Sequence, residues 1–267
     1  MVGVLSNAVE RLAVESCGVG EPLVLLHGWA LHAGLFRTIS PCLARANRVH
    51  AVDLPGHGHS APLPRASMHA IVEMLEGRFA TVDRPLSVLG WSFGGAVALA
   101  WAHAHPDRIA KLVLVTTTPR FVAGPDWRHA SSKATLARFA DELRVGYRAT
   151  LLRFLTLQVQ ASEAERSTLV ALRARLFERG EPDSGALIDT LRMLMEIDLR
   201  PIVPTIRQPV LVVTGTRDTL APAAAGAWLA ANLPNGTLHE ITNAAHAPFL
   251  SHADIFLHRV LPFLADG

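Results

Sequence analysis

Short runs of β-branched and aliphatic residues alternate along this chain with helix-forming stretches. The runs lie within EPLVLLHGW (21–29), NRVHAVDLPGHGHS (47–60), PLSVLGWSFGG (85–95), IAKLVLVTTTP (109–119), QPVLVVTGTRD (208–218) and GTLHEIT (236–242). A strand that is apolar without polar alternation must be covered on both faces. Six such strands separated by helices predict an α/β fold with a mostly parallel central sheet flanked by helices. Sheets of this kind bind ligands beyond the carboxyl ends of their strands.

One segment breaks the alternation. From 120 to 197 no strand-like run occurs, and stretches such as KATLARFADELRVGYRATLLRFLTLQVQ carry apolar residues at helical spacing. Leu169, Leu172 and Leu176 fall on one helix face. The chain therefore divides into a core, 1–119 with 198–267, and a helical lid, 120–197, inserted between two strands at the carboxyl edge.

Composition narrows the function classes. Of 267 residues half are hydrophobic and 18% are charged, which supports a sizeable core and excludes global disorder. A net charge of +2 is too small to imply nucleic-acid binding. No apolar run is long enough to span a membrane. MVGVLSNAVERLAVESCG (1–18) has no basic region followed by an apolar core, so no leader is expected. Two cysteines, Cys17 and Cys42, fit a reducing compartment, and the expected location is the cytoplasm.

The chemistry is written at strand ends. GWSFG (Gly90–Gly94) matches G-x-S-x-G, with a strand before it and a helix after it. A sharp turn there lifts the Ser92 hydroxyl above the sheet edge and sets it at a helix N-terminus, where free N–H groups favour negative charge. A serine is inert without a base. Asp218 follows the fifth run directly, and His246 follows the sixth by a few residues, so both fall on the rim that carries Ser92. Their chain order, Ser, Asp, His, is the one this architecture uses. Asp198 competes for the acid role but reads as a structural carboxylate near the return of the lid. Arg217 reads as a solvated loop charge. His252 reads as the start of the last helix, with Ser251 as its N-cap. Acyl transfer also needs two backbone donors for the oxyanion. Phe93, after the nucleophile, and Trp29, in the loop after the first run, are the candidates. His27 reads as a loop organiser. His57 and His59 have no neighbouring Cys or acidic cluster, so neither a metal nor a cofactor is expected.

These residues together resemble the α/β-hydrolase superfamily across essentially the whole chain. Within it they resemble the pimeloyl-(acyl-carrier protein) methyl ester esterases of biotin synthesis. LLHGWALHAGLF, VDLPGHGHS, LGWSFGG, RFLTLQ, DLRP and AAHAPFLSH are similar to that family's segments, in its order. Phe93 stands where members often carry leucine. The resemblance implies an α/β-hydrolase fold and hydrolysis of pimeloyl-(acyl-carrier protein) methyl ester to the free acid and methanol. It implies a Ser92, Asp218, His246 triad. It implies substrate contacts at Trp29, Ser92, Phe93, Phe154, Leu155, Thr156, Leu157, Gln158 and His246. Phe154, Leu155 and Leu157 have two readings, as the lining of an acyl tunnel and as the attachment of the lid to the core.

Charge in the lid bears on the partner. Between 144 and 179 the chain holds seven arginines (144, 148, 153, 166, 173, 175, 179) against three acids (163, 165, 178). A basic lid suits an acidic carrier protein whose arm bears a phosphate, and Arg148, Arg153, Arg166 and Arg173 are the expected contacts. The expected enzyme is a monomer. Two alternatives are a broad-specificity short-chain carboxylesterase and, from a different class, a non-catalytic binding protein that keeps the pocket. Dehalogenase and epoxide-hydrolase chemistry is disfavoured, because it uses Asp where this chain has Ser92.

Overall fold

The computed structural model describes residues 12–266. Residues 1–11, which include most of the stretch read for a leader, lie outside them. Strands β1 (Val14–Cys17), β2 (Glu21–Leu26), β3 (Asn47–Val52), β4 (Leu86–Trp91), β5 (Ile109–Val115), β6 (Val210–Gly215) and β7 (Gly236–Ile241) form one sheet in the order β1-β3-β2-β4-β5-β6-β7. Pairing from β3 through β7 is parallel. β4 and β6 are buried along their whole length, as continuous apolar runs require.

The six expected strands are present, and β1 is an addition. Its sequence, VESC, is short and largely exposed, and it pairs antiparallel with β3 at the sheet edge. An edge strand with one face in solvent needs no apolar run, so the rule that found the other six passes over it.

Helices connect the parallel strands. α1 (Met68–Phe79) starts at Ser67, whose hydroxyl accepts from Ala70 N at 3.1 Å. α2 (Phe93–Ala104) follows β4 and is apolar nearly all round. α6 (Ala223–Asn232) follows β6, and α7 (Ala253–Ala265) closes the chain. α2, α6 and α7 pack on strands, and α1 packs on α2.

Between β5 and β6 lie α3 (Lys133–Val159), α4 (Glu165–Arg175) and α5 (Ser184–Glu196). α3 breaks at Gly146, whose backbone is not helical (φ −157°, ψ 73°), so its two halves point differently. Leu151, Leu155, Leu172 and Leu187 are fully buried and continuous with the hydrophobic core of the sheet. The insertion enters and leaves at one place. Leu199 N donates to Pro119 O at 2.8 Å. Beside this bond, Arg200 pairs with Asp198 at 2.6 Å and Asp126 at 2.7 Å, and Arg120 pairs with Asp126 at 3.0 Å. Asp198 is thus a structural carboxylate, held below its usual pKa by the Arg200 hydrogen bond.

The expected cap on the last helix is corrected. Pro248–Ser251 forms a short helix of its own, and the N-cap of α7 is His252, with no side-chain bond to the helix. The Ser251 hydroxyl instead donates back to Ala247 O at 3.2 Å.

Candidate active site

The site is assembled at the carboxyl ends of β4, β6 and β7. β4 ends in Trp91, and Ser92 takes φ 54°, ψ −115° before α2 begins. A positive φ on a non-glycine residue is strained and is typical of a functional turn. The turn closes only because its neighbour is small: a Cβ on Gly94 would lie 2.2 Å from Leu26 O.

Asp218 lies three residues beyond β6, and His246 lies in the loop after β7. His246 Nδ1 is 2.8 Å from Asp218 Oδ2, and His246 Nε2 is 2.9 Å from Ser92 Oγ. The second carboxylate oxygen of Asp218 accepts from Leu220 N at 2.8 Å and Ala221 N at 3.0 Å. An ionised carboxylate only accepts, so the proton sits on Nδ1 and the Nε2 lone pair faces the Ser92 hydroxyl. All three groups are buried. The three residues, far apart in sequence, lie within hydrogen-bond reach of one another at the carboxyl edge of the sheet. His252 takes no part, and its Nδ1 lies against the Ser251 hydroxyl. Arg217 stays in its exposed loop, bonded to Asn243.

Phe93 is the first residue of α2, so its N–H has no acceptor within the helix. Trp29 sits beside the elbow in the loop after β2, where Ala30 takes φ 64°. That loop is pinned from behind. His27 donates from Nδ1 to Gly28 O and accepts Leu54 N at Nε2, both at 2.8 Å. Buried Asp53 accepts from Ala33 N at 2.8 Å, His59 N at 2.9 Å and Arg179 at 2.9 Å. His27 is the loop organiser the sequence suggested, and Arg179 bolts the insertion to the same carboxylate.

Burial, with His57 nearby, pushes the His27 pKa down to about 3, and burial also lowers those of His57 and His32. Burial thus favours the neutral form of these imidazoles in the folded protein, whereas in the unfolded chain they take up protons below pH ~6.5. The unfolded state then binds more protons, so stability rises with pH. The unfolding free energy should be level above pH ~7 and fall below ~6.5, by up to ~1.4 kcal/mol per pH unit for each histidine. Urea titrations between pH 8 and 5 check this.

A cavity of about 410 Å³ opens above Ser92 and His246. Its wall is largely apolar and includes Trp29, Phe139, Phe154 and Leu191. Phe154 lies edge-on to Trp29 at 5.1 Å between ring centroids. Trp29 Nε1 donates to Leu187 O on α5 at 3.1 Å, which ties the ring to the insertion.

The geometry corrects several expectations. Phe154, Thr156 and Leu157 line the cavity, but Leu155 and Gln158 do not. Residues three apart share a helix face, and this pair faces inward: Leu155 is core, and the Gln158 carbonyl accepts His246 N at 2.9 Å. The Phe93 ring is fully buried away from the cavity, leaving only its N–H in play. The arginine surplus also shrinks. Arg179 is buried on Asp53 and Glu15. Arg144 pairs with Asp141, Arg148 with Glu181, and Arg153 with Glu142 at 2.7 Å. Those acids lie outside the window in which the charges were counted. Arg153 stands on the cavity lining, whereas Arg166 and Arg173 are exposed and carry no ion pair among the described residues.

Comparison with known proteins places this site in a family. The profile of the alpha/beta hydrolase fold matches residues 21–253. The pimeloyl-(acyl-carrier protein) methyl ester esterase of Chromobacterium violaceum is 42% identical over 254 residues, 95% of this chain and 98% of the relative. The chain belongs to the pimeloyl-(acyl-carrier protein) methyl ester esterase family. The esterase of that name from Nitrosospira multiformis is 39% identical, covering 94% of this chain and 97% of its own. Solved structures agree on the α/β-hydrolase fold of this esterase family member. The esterase EaEST from Exiguobacterium antarcticum superposes with a TM-score of 0.88 at 20% identity, covering 95% of each chain. The enol-lactonase from Burkholderia xenovorans LB400 gives 0.84 at 25% identity, covering 96% of each.

Proposed function

We propose that this chain is a serine carboxylesterase that hydrolyses the methyl ester of pimeloyl-(acyl-carrier protein), releasing methanol and leaving the free acid on its carrier, within biotin synthesis. The observation that carries the reading is the continuous Asp218–His246–Ser92 hydrogen-bonded line at the floor of an apolar cavity. Its setting in a chain 42% identical to a relative of that name supports the substrate.

His246 takes the Ser92 proton as Oγ attacks the ester carbonyl, and Asp218 stabilises the imidazolium. The N–H groups of Trp29 and Phe93 receive the oxyanion. The intermediate collapses with His246 protonating the departing methoxide, which leaves an acyl-serine and methanol. Water, activated by the same imidazole, then releases the carboxylic acid. These steps draw only on the chain's own groups and water.

In this reading 1–119 and 198–267 form the catalytic core, and 120–197 is a lid whose aromatic and leucine side chains hold the acyl chain. The enzyme works as a cytoplasmic monomer. The test is methanol release from pimeloyl-carrier methyl ester beside free dimethyl pimelate at equal concentration. Faster turnover of the carrier-bound ester supports the proposal. Equal rates would leave a general carboxylesterase, and no methanol from either would remove the esterase reading.

Carrier docking gives a second measurement. Arg166→Glu combined with Arg173→Glu should raise KM for the carrier-bound ester roughly tenfold and leave that for p-nitrophenyl acetate in place. Equal changes for both esters would reject a basic docking face.

A further inference from the structure

Three consecutive residues at the end of β5 reach both reacting side chains' backbones. Val115 O accepts Ser92 N at 2.9 Å. The Thr116 hydroxyl donates to His246 O at 2.7 Å. The Thr117 hydroxyl donates to Ser92 O, also at 2.7 Å. Successive side chains on a strand point to opposite faces, so Thr116 and Thr117 would ordinarily not serve one site. The backbone resolves this: Thr116 takes φ 41°. A β-branched residue at positive φ is an outlier that persists only where its surroundings over-determine it.

The surroundings do so. Thr116 N donates to Val213 O at 2.8 Å, anchoring the residue to β6. The His246 carbonyl also accepts the Trp91 indole N–H at 2.7 Å, so both of its lone pairs are engaged. On the elbow side, a Cβ on Gly95 would lie 2.7 Å from the Thr117 Cβ, which shows how closely this strand end is seated. Thr116 and Thr117 are buried, and neither lines the cavity.

We infer that Thr116 and Thr117 are positioning residues that fix the distance between base and nucleophile, Thr116 through the His246 carbonyl and Thr117 through the Ser92 carbonyl. The inference rests on the serine-esterase reading above. A hydrogen-bond jig of this kind acts on kcat and not on KM, because it touches no substrate.

The test uses p-nitrophenyl acetate with the whole chain. Thr116→Val keeps the branched shape and removes the donor, and it should lower kcat about tenfold, with KM held within about twofold. Thr117→Val should behave alike, and Thr116→Ser, which keeps the donor, should stay within about twofold of wild type. Thr116→Gly separates the hydroxyl from the strained backbone. It relieves the positive φ while losing the hydroxyl, so kcat should fall as in Thr116→Val if the hydrogen bond and not the backbone strain positions His246. A wild-type kcat in Thr116→Gly, or a Thr116→Ser loss as deep as that of Thr116→Val, would overturn the inference. An inactive wild type would instead overturn the esterase reading.

Discussion

Ser92→Ala will lower kcat for p-nitrophenyl acetate by about 10⁶-fold while the protein stays folded. The size follows from the geometry. Ser92 Oγ is the oxygen facing His246 Nε2, and without it the base has no bound nucleophile to deprotonate. What survives is the residual acceleration from the oxyanion donors and from binding, about 10³–10⁴ over water. The fold should hold because the elbow is fixed through backbone atoms, Ser92 N on Val115 O and Ser92 O on Thr117. Initial rates beside far-ultraviolet circular dichroism check both halves. Comparable slow rates in wild type and variant would favour the non-catalytic binding protein.

The second large effect belongs to the acid. Asp218→Asn should cost about 10⁴ in kcat, whereas Asp198→Asn should leave kcat within about twofold of wild type. The asparagine amide presents a donor where Nδ1–H needs an acceptor, so His246 is driven into the tautomer that places a proton on Nε2. That proton points at Ser92 Oγ, and the imidazole can no longer accept. Asp198 is engaged with Arg200 and Arg120 at the neck of the insertion and makes no contact with the triad. Steady-state kinetics on the two variants distinguish them directly, and a larger loss from Asp198→Asn would reverse the assignment.

The parts of this molecule legible in the sequence are those that a local pattern specifies. Apolar runs mark buried parallel strands, and an Asp or His just past a run must lie on the carboxyl rim with Ser92. Elements whose meaning depends on distant partners stayed hidden. β1 is polar because its edge faces water. The register of α3 decides that Phe154 faces the cavity and Leu155 the core, and an apolar string alone does not state which way a helix is turned. Arg179 reads as one more lid charge until Asp53, 126 positions away, is found beside it. Thr116 and Thr117 read as ordinary strand formers, since nothing local signals the positive φ of the first. Trp91 lies inside the G-x-S-x-G motif, yet its indole serves the base and not the nucleophile.

The single hydrogen bond from Leu199 to Pro119 has a consequence for how such a protein can diverge. Sheet strands β5 and β6 pair regardless of what the chain does between them, provided it returns to that point. Loop-closure entropy grows only logarithmically, about 0.6 kcal/mol per doubling of length. Residues can therefore be added or removed in the connections between 120 and 198 at little closure penalty, provided the contacts that seat the insertion on the core, Arg179 on Asp53 among them, are kept. Selection for a new ester can rewrite the ceiling of the cavity in one stretch of sequence, while the strand ends that carry Ser92, Asp218 and His246 stay as they are.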